Sequence, residues 1–161
     1  MQRFALTALG LLALVPGCGV SNYVFRFDIT EPGAHNTQRA NDRDWIEDAD
    51  VRVEILADPA SQQDVLVDVV NKTNDMMMVD WNNVVIITPE GNQVQLRPDV
   101  MQGPIQPSAR ATARLITFIL PTRGSAASQY DNQIFEIVIP IQVRGQLREY
   151  RYHLQAHASS I

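Results

Sequence analysis

The stretch "DVRVEILADPASQQDVLVDVV", Asp50 to Val70, decides the fold class. Val51, Val53 and Ile55 alternate with Arg52 and Glu54, and Val65, Val67 and Val69 alternate with Leu66 and Asp68. A period of two places each set on one side of a pleated strand, and the β-branched residues favour that extended backbone. Between them "DPASQQ" carries the proline and small polar residues of a turn. The stretch therefore predicts two antiparallel strands with one buried face.

The same alternation extends outward in both directions. "YVFRFDIT" puts Tyr23, Phe25, Phe27 and Ile29 on one face, whereas Glu31 to Asp44 is polar, opens on Pro32 and Gly33, and is expected to be a loop. "NKTND" turns the chain after Val70, "MMMVDW" and "NVVIIT" follow as one bent strand or two short ones, and "PEGN" (Pro89 to Asn92) is a tight hairpin turn. "QVQLR" continues, Pro98 to Pro107 is a punctuated loop, "RATARLITFIL" runs to Pro121, and Thr122 to Asn132 is a second polar loop. "IFEIVIPIQV" and "LREYRYHLQA" flank "RGQ" as a hairpin, with Phe135, Ile137 and Ile139 facing Tyr150, Tyr152 and Leu154. Pro140 cannot donate to a ladder, so an edge or a bulge is expected there. Seven to nine short strands without a convincing helix or an internal repeat give an all-β fold. An immunoglobulin-like β-sandwich without a disulfide is preferred, with a lipocalin-like β-barrel as the alternative.

The chain has 161 residues, 45% of them apolar, and a net charge of -5 with its arginines scattered. That balance suits one compact domain and argues against nucleic acid, which requires a basic stripe. The lone cysteine, Cys18, excludes an internal disulfide and a multi-cysteine zinc site.

"MQRFALTALGLLALVPGC" has Arg3, an apolar run from Phe4 to Val15, and small residues before Cys18. This is the layout of a secretory signal, and the run is too short to remain as a membrane span. "LVPGC" resembles the lipobox of bacterial lipoproteins, with Leu14, Val15, Gly17 and Cys18 in the pattern and Pro16 departing from it. The resemblance implies a thioether-linked diacylglycerol on Cys18 and removal of residues 1–17, and the alternation that begins at Tyr23 then leaves a tether over 18–22 and a β-sandwich over 23–161. Two or three acyl chains would hold the protein on a membrane permanently. Gly19 after the cysteine, where Asp would retain the protein at the inner membrane, implies the outer membrane facing the periplasm. "VVNKTNDMMMVDW" is similar to a stretch of small bacterial envelope domains of immunoglobulin-like type, which implies a fold and no activity. Physically, Asn71 and Thr73 are suited to shaping the turn and Trp81 to anchoring the core.

Other chemistry is sparse. "NDRDWIEDAD" offers Asp42, Asp44, Glu47, Asp48 and Asp50 as weak Ca²⁺ candidates, but no glycine makes the sharp turn of a calcium loop. A solvated acidic loop is the expectation. His153 and His157, four apart in a strand, are about 13 Å from each other and cannot share an ion; His35 falls in a loop. Met76 to Met78 cannot all face inward and read as core filler with an exposed thioether. No nucleophile elbow or phosphate loop occurs, so no catalytic residue and no cofactor is expected. These readings combine into a non-enzymatic, membrane-anchored protein-binding or assembly module of the cell envelope, with the two polar loops as candidate contacts. The alternative is a carrier or sensor for a small apolar ligand held against the aromatic face.

Overall fold

The computed structural model describes residues 23–32, 42–57, 64–100, 102–116 and 128–160. The signal segment, Cys18, His35, the "DPASQQ" turn and Pro121 lie outside the described residues, as do most of the two polar loops.

Among the described residues eleven strands form: β1 (Tyr23–Glu31), β2 (Arg43–Glu47), β3 (Val51–Ala57), β4 (Val65–Asn71), β5 (Met78–Val79), β6 (Val85–Ile87), β7 (Gln93–Gln95), β8 (Arg97–Pro98), β9 (Arg110–Ile116), β10 (Ile134–Val143) and β11 (Gln146–Ser160). They make two antiparallel sheets. One has six strands in the order β1-β11-β10-β6-β7, with β5 also pairing β10, and the other has five in the order β2-β3-β4-β9-β8. The protein is an all-β sandwich. Neither sheet closes on itself, which removes the barrel alternative.

The count exceeds the expected seven to nine for two reasons. β5 and β8 are two-residue strands, and "QVQLR" divides at buried Leu96 so that β7 stays in the six-stranded sheet while β8 crosses to the other. β2 arises in the segment expected to be loop and solvated acid. Its inward positions are Asp44 and Ile46, registered with Ile55 and Val53 of β3, and the charge on Asp44 hides the alternation. Asp44 is fully buried and its Oδ1 accepts from the Trp45 N–H at 2.8 Å.

The inner faces are the alternating sets. Val51, Val53, Ile55, Val65, Val67, Val69 and Leu115 of one sheet meet Phe25, Ile29, Phe135, Ile137, Ile139 and Tyr152 of the other, each at most 1% exposed. Every such Val, Ile or Phe side chain stabilises the sandwich by about 1.5–3 kcal/mol relative to exposure. Tyr152 also ties the sheets together: its hydroxyl donates to the Val53 carbonyl at 2.6 Å and accepts from the Ile46 N–H at 3.2 Å. Burial, and secondarily the nearby charge of Asp44, pushes its phenol far above the ordinary value.

Both expected hairpin turns form, each on a left-handed glycine. Gly91 (φ 83°) closes the Thr88–Gly91 turn, its N–H donating to the Thr88 carbonyl, and Arg144 and Gly145 (φ 49° and 75°) form a two-residue loop with the backbone of a type I′ turn. Pro140 sits in a central strand, not at an edge. β10 pairs β11 throughout, but on its other side β6 covers Glu136 to Val138 and β5 covers Ile141 and Gln142. Pro140 occupies the gap, where a 3-10 turn (Trp81–Asn83) joins the two short strands and the Asp80 N–H reaches the Pro140 carbonyl at 2.9 Å.

Candidate functional site

The acidic segment is a structural clasp at the hairpin end of the sandwich. Asp48 Oδ1 accepts from the N–H groups of Asp50 and Val51 at 2.7 and 2.8 Å, closing the turn between β2 and β3. Its Oδ2 accepts from Arg148 (3.2 Å) and the Tyr150 hydroxyl (3.0 Å), both on β11 of the opposite sheet. Asp50 takes the other arm of Arg148 at 2.9 Å and Arg144 at 3.1 Å. Lys72 bonds Glu47 at 2.9 Å and the Asp48 carbonyl at 2.6 Å. Burial alone would raise the Asp48 carboxyl, but the two backbone donors, Tyr150 and Arg148 outweigh it and hold the group below its usual value. Burial and the Asp48 charge push the Tyr150 phenol up to about 12.

The five carboxylates weighed for Ca²⁺ are thereby dispersed. Asp42 lies near the far end of β3, where its carbonyl accepts from Ala57; Asp44 is in the core; Glu47, Asp48 and Asp50 face cations of this same chain. Among the described residues no three His, Cys, Asp or Glu groups converge as a metal site. The histidines sit on the outer side of β11, His153 Nδ1 at 2.8 Å from Glu31 and His157 Nε2 at 3.3 Å from Asp28 of β1.

The "NKT" turn is built as its residue types suggest. Asn71 is fully buried; its Nδ2 reaches the carbonyls of Asp75, Ile105 and Gln106 at 2.8–3.1 Å, and its Oδ1 accepts from the Thr73 N–H at 2.9 Å. Trp81, 3% exposed, fills the core beneath the 3-10 turn. Met77 joins that core, while Met76 and Met78 remain 63% and 44% exposed.

The feature that the sequence reading missed lies on the outer face of the six-stranded sheet. β10 is apolar on both sides there, since Val138 and Pro140 point outward and are still buried by their neighbours. Register places Val85 of β6 and Arg151 of β11 beside Val138, Glu149 beside Pro140, and Met78 and Leu147 on either side of Gln142. The result is an open groove of about 330 Å³ with Val85, Ile87, Val138, Pro140 and Leu147 as its apolar lining and Asp80, Asn83, Gln93, Glu149 and Arg151 around them. Leu147 is 64% exposed. A neighbouring depression of about 240 Å³, lined by the three methionines, Pro104 and Gln142, adjoins the hairpin end. The legible signal was "IVIPI", where alternation gives way to an unbroken apolar run.

The chain matches no family model, no curated protein and no solved structure. The groove, the clasp and the turn therefore stand on their own geometry. The clasp and the turn consume their polar groups internally. The groove leaves Leu147 open beside half-buried Val85 and Ile87, above a floor of buried Val138 and Pro140, so apolar surface stays accessible there. Among the described residues no helix is long and apolar enough to cross a membrane.

Proposed function

We propose that this protein is a lipid-anchored, non-enzymatic protein-binding module of a bacterial cell envelope, held at the outer membrane by an acylated Cys18 and facing the periplasm. The observation that carries the binding role is the open groove with an apolar floor on the outer face of the six-stranded sheet, opposite a face where Arg110 and Asp68 pair their charges. The groove's mixture of apolar floor and polar edge is the chemistry by which one protein surface recognises another. The immunoglobulin-like reading of the fold suits such a role, because a rigid sandwich presents its faces and loops to partners.

The anchor reading rests on the signal layout and the lipobox resemblance, supported by where the first strand begins. β1 starts at Tyr23, so only Gly19 to Asn22 separate it from Cys18, a span of at most about 14 Å. The carrier alternative places a ligand against the aromatic face, but Phe25, Phe135 and Tyr152 on that face are at most 1% exposed and packed in the core. That packing favours the protein-binding role.

Two measurements test the proposal. Intact mass of the mature protein is expected to give an N-terminal Cys18 carrying a diacylglyceryl thioether. An unmodified Cys18, or cleavage elsewhere, would overturn the anchor. Cross-linking of the tethered protein in cells is expected to yield a reproducible protein partner, and recovery of none across growth conditions would overturn the binding role.

A further inference from the structure

The groove lies toward the hairpin end of β11, away from the end where β1 begins. Tyr23 pairs with Ser160 at the end where the tether enters. The groove's Glu149 and Leu147 lie eleven and thirteen residues back along the continuous strand β11, about 36 and 43 Å from that end at ~3.3 Å per residue. A surface so far from a short tether is poorly placed to lie on the bilayer that holds the protein.

Charge narrows the occupant further. Arg151 is held at 2.7 Å by both Glu136 and Glu149, so the one guanidinium on the rim is shared between two carboxylates. Asp80 forms no ion pair among the described residues; its Oδ2 accepts only from the Asn83 amide, at 2.8 Å. Asp80 and Glu149 against Arg151, whose guanidinium Glu136 beside the groove also holds, leave the rim acidic around an apolar floor. An anionic lipid surface or an acidic segment would meet repulsion there.

We infer that the groove on the outer face of the six-stranded sheet, floored by Val138, Pro140 and Leu147 and edged by Asp80 and Glu149, docks an apolar segment of another protein that carries a Lys or Arg beside its apolar side chains. The apolar side chains cover Leu147 and Pro140, removing from water the most exposed large apolar residue of the described chain. The cation sits between Asp80 and Glu149, where it balances the rim. This deepens the protein-binding reading and depends on it for the biological partner, but the recognition chemistry is tested separately.

The probe is a fluorescent seven-residue peptide alternating Lys and Val, titrated against the full chain reconstituted in phosphatidylcholine vesicles, with a Glu and Val peptide and empty vesicles as controls. The Lys peptide is expected to bind and the Glu peptide to bind at least about tenfold more weakly. Leu147→Ser is expected to weaken binding about tenfold, and Asp80→Asn about threefold with a shallower salt dependence. Arg110→Ala, on the outer face of the other sheet, should leave it unchanged. Equal binding of the two peptides, no binding, or indifference to Leu147→Ser with an unchanged fold by circular dichroism overturns the groove assignment. So does a second copy of the chain occupying the face, seen as dimerisation that Leu147→Ser abolishes, or stronger attachment to anionic vesicles through it. If the cross-linked partner in cells survives Leu147→Ser, the binding-module reading stands and this groove falls. If no partner is found while the Lys peptide binds as described, the groove's chemistry stands and the cellular role falls.

Discussion

The outer face of the five-stranded sheet and that of the six-stranded sheet start from the same pleated backbone and are finished differently. On the first, Arg110 pairs with Asp68 at 3.2 Å, Thr112 donates to the same carboxylate at 3.1 Å, Arg52 bonds Glu54 at 2.8 Å and stacks over Trp45 at 4.6 Å from the ring centroid. Arg43 also bonds Glu54. Cross-strand pairs of this kind satisfy their charges locally and leave a polar, self-contained surface. On the second, charges occupy the β1 side and the rim, while the centre of β10 and its neighbours is apolar. The charged face pairs its charges within the monomer, whereas the apolar one leaves Leu147 mostly and Met78 partly exposed to water. A face finished by pairing supports the fold. One left apolar on an otherwise well-paired molecule is available to a partner.

That comparison is broken or sharpened by substitutions on each surface. The largest effect is expected on the shared core: Ile137→Ala, on the inner side of β10, should cost about 2–5 kcal/mol in denaturant unfolding and sets the scale for the outer positions. Asp50→Asn, which weakens the clasp by loosening Arg148 and Arg144, should cost about 1.5–3 kcal/mol. A loss as small as that of a surface pair would mean that the clasp does not join the sheets.

The clasp has a pH signature as well. The Asp48 carboxyl is depressed in the folded protein, so its contribution is present above its unfolded value of about 3.9 and is lost as pH falls through the folded value. Asp48→Asn should therefore flatten the acid limb of stability below about pH 4, measured by melting temperature against pH. An unchanged slope would show that Asp48 is not held by these donors.

On the charged outer face, Asp68→Asn should cost only about 0.2–1 kcal/mol and lose even that at high salt, because its partners are exposed. On the apolar outer face, Leu147→Ser should shift stability by less than about 0.5 kcal/mol while weakening peptide binding about tenfold. A stability loss at Leu147 comparable to that at Ile137 would erase the distinction between the two faces, because Leu147 would then be acting as core.

How far the molecule is legible in the sequence differs by region. β3 and β11 are legible because their inward positions are apolar and their outward ones mostly polar, as in "VRVEI" and "EYRYHL", and β4 and β10 because β-branched and aromatic residues recur at every second position. β2 is not, because its inward pair is Asp44 and Ile46, and a buried carboxylate reads locally as a solvated one. The turn at Asn71 is legible because Asn and Thr bond nearby backbone whatever the fold. The groove is only half legible. Val138 and Pro140 stand out in "IVIPI" as apolar residues in outward positions, but nothing local says that Met78, Val85 and Leu147 will surround them.

The sequence by itself determined most of the period-two strands, a hairpin at "RGQ", the "NKT" turn and Trp81 as a core anchor, since each is read from residues within a few positions of one another. Tertiary structure alone decided which carboxylates meet cations. Asp48 and Asp50 find Arg148 across about a hundred residues of chain, so the expected solvated acidic loop is instead a clasp. It also decided that Pro140 lies in a central strand, because the neighbouring strand changes from β6 to β5 at that point. Register and sheet order bring together residues that no local pattern relates, and the groove exists only where they do.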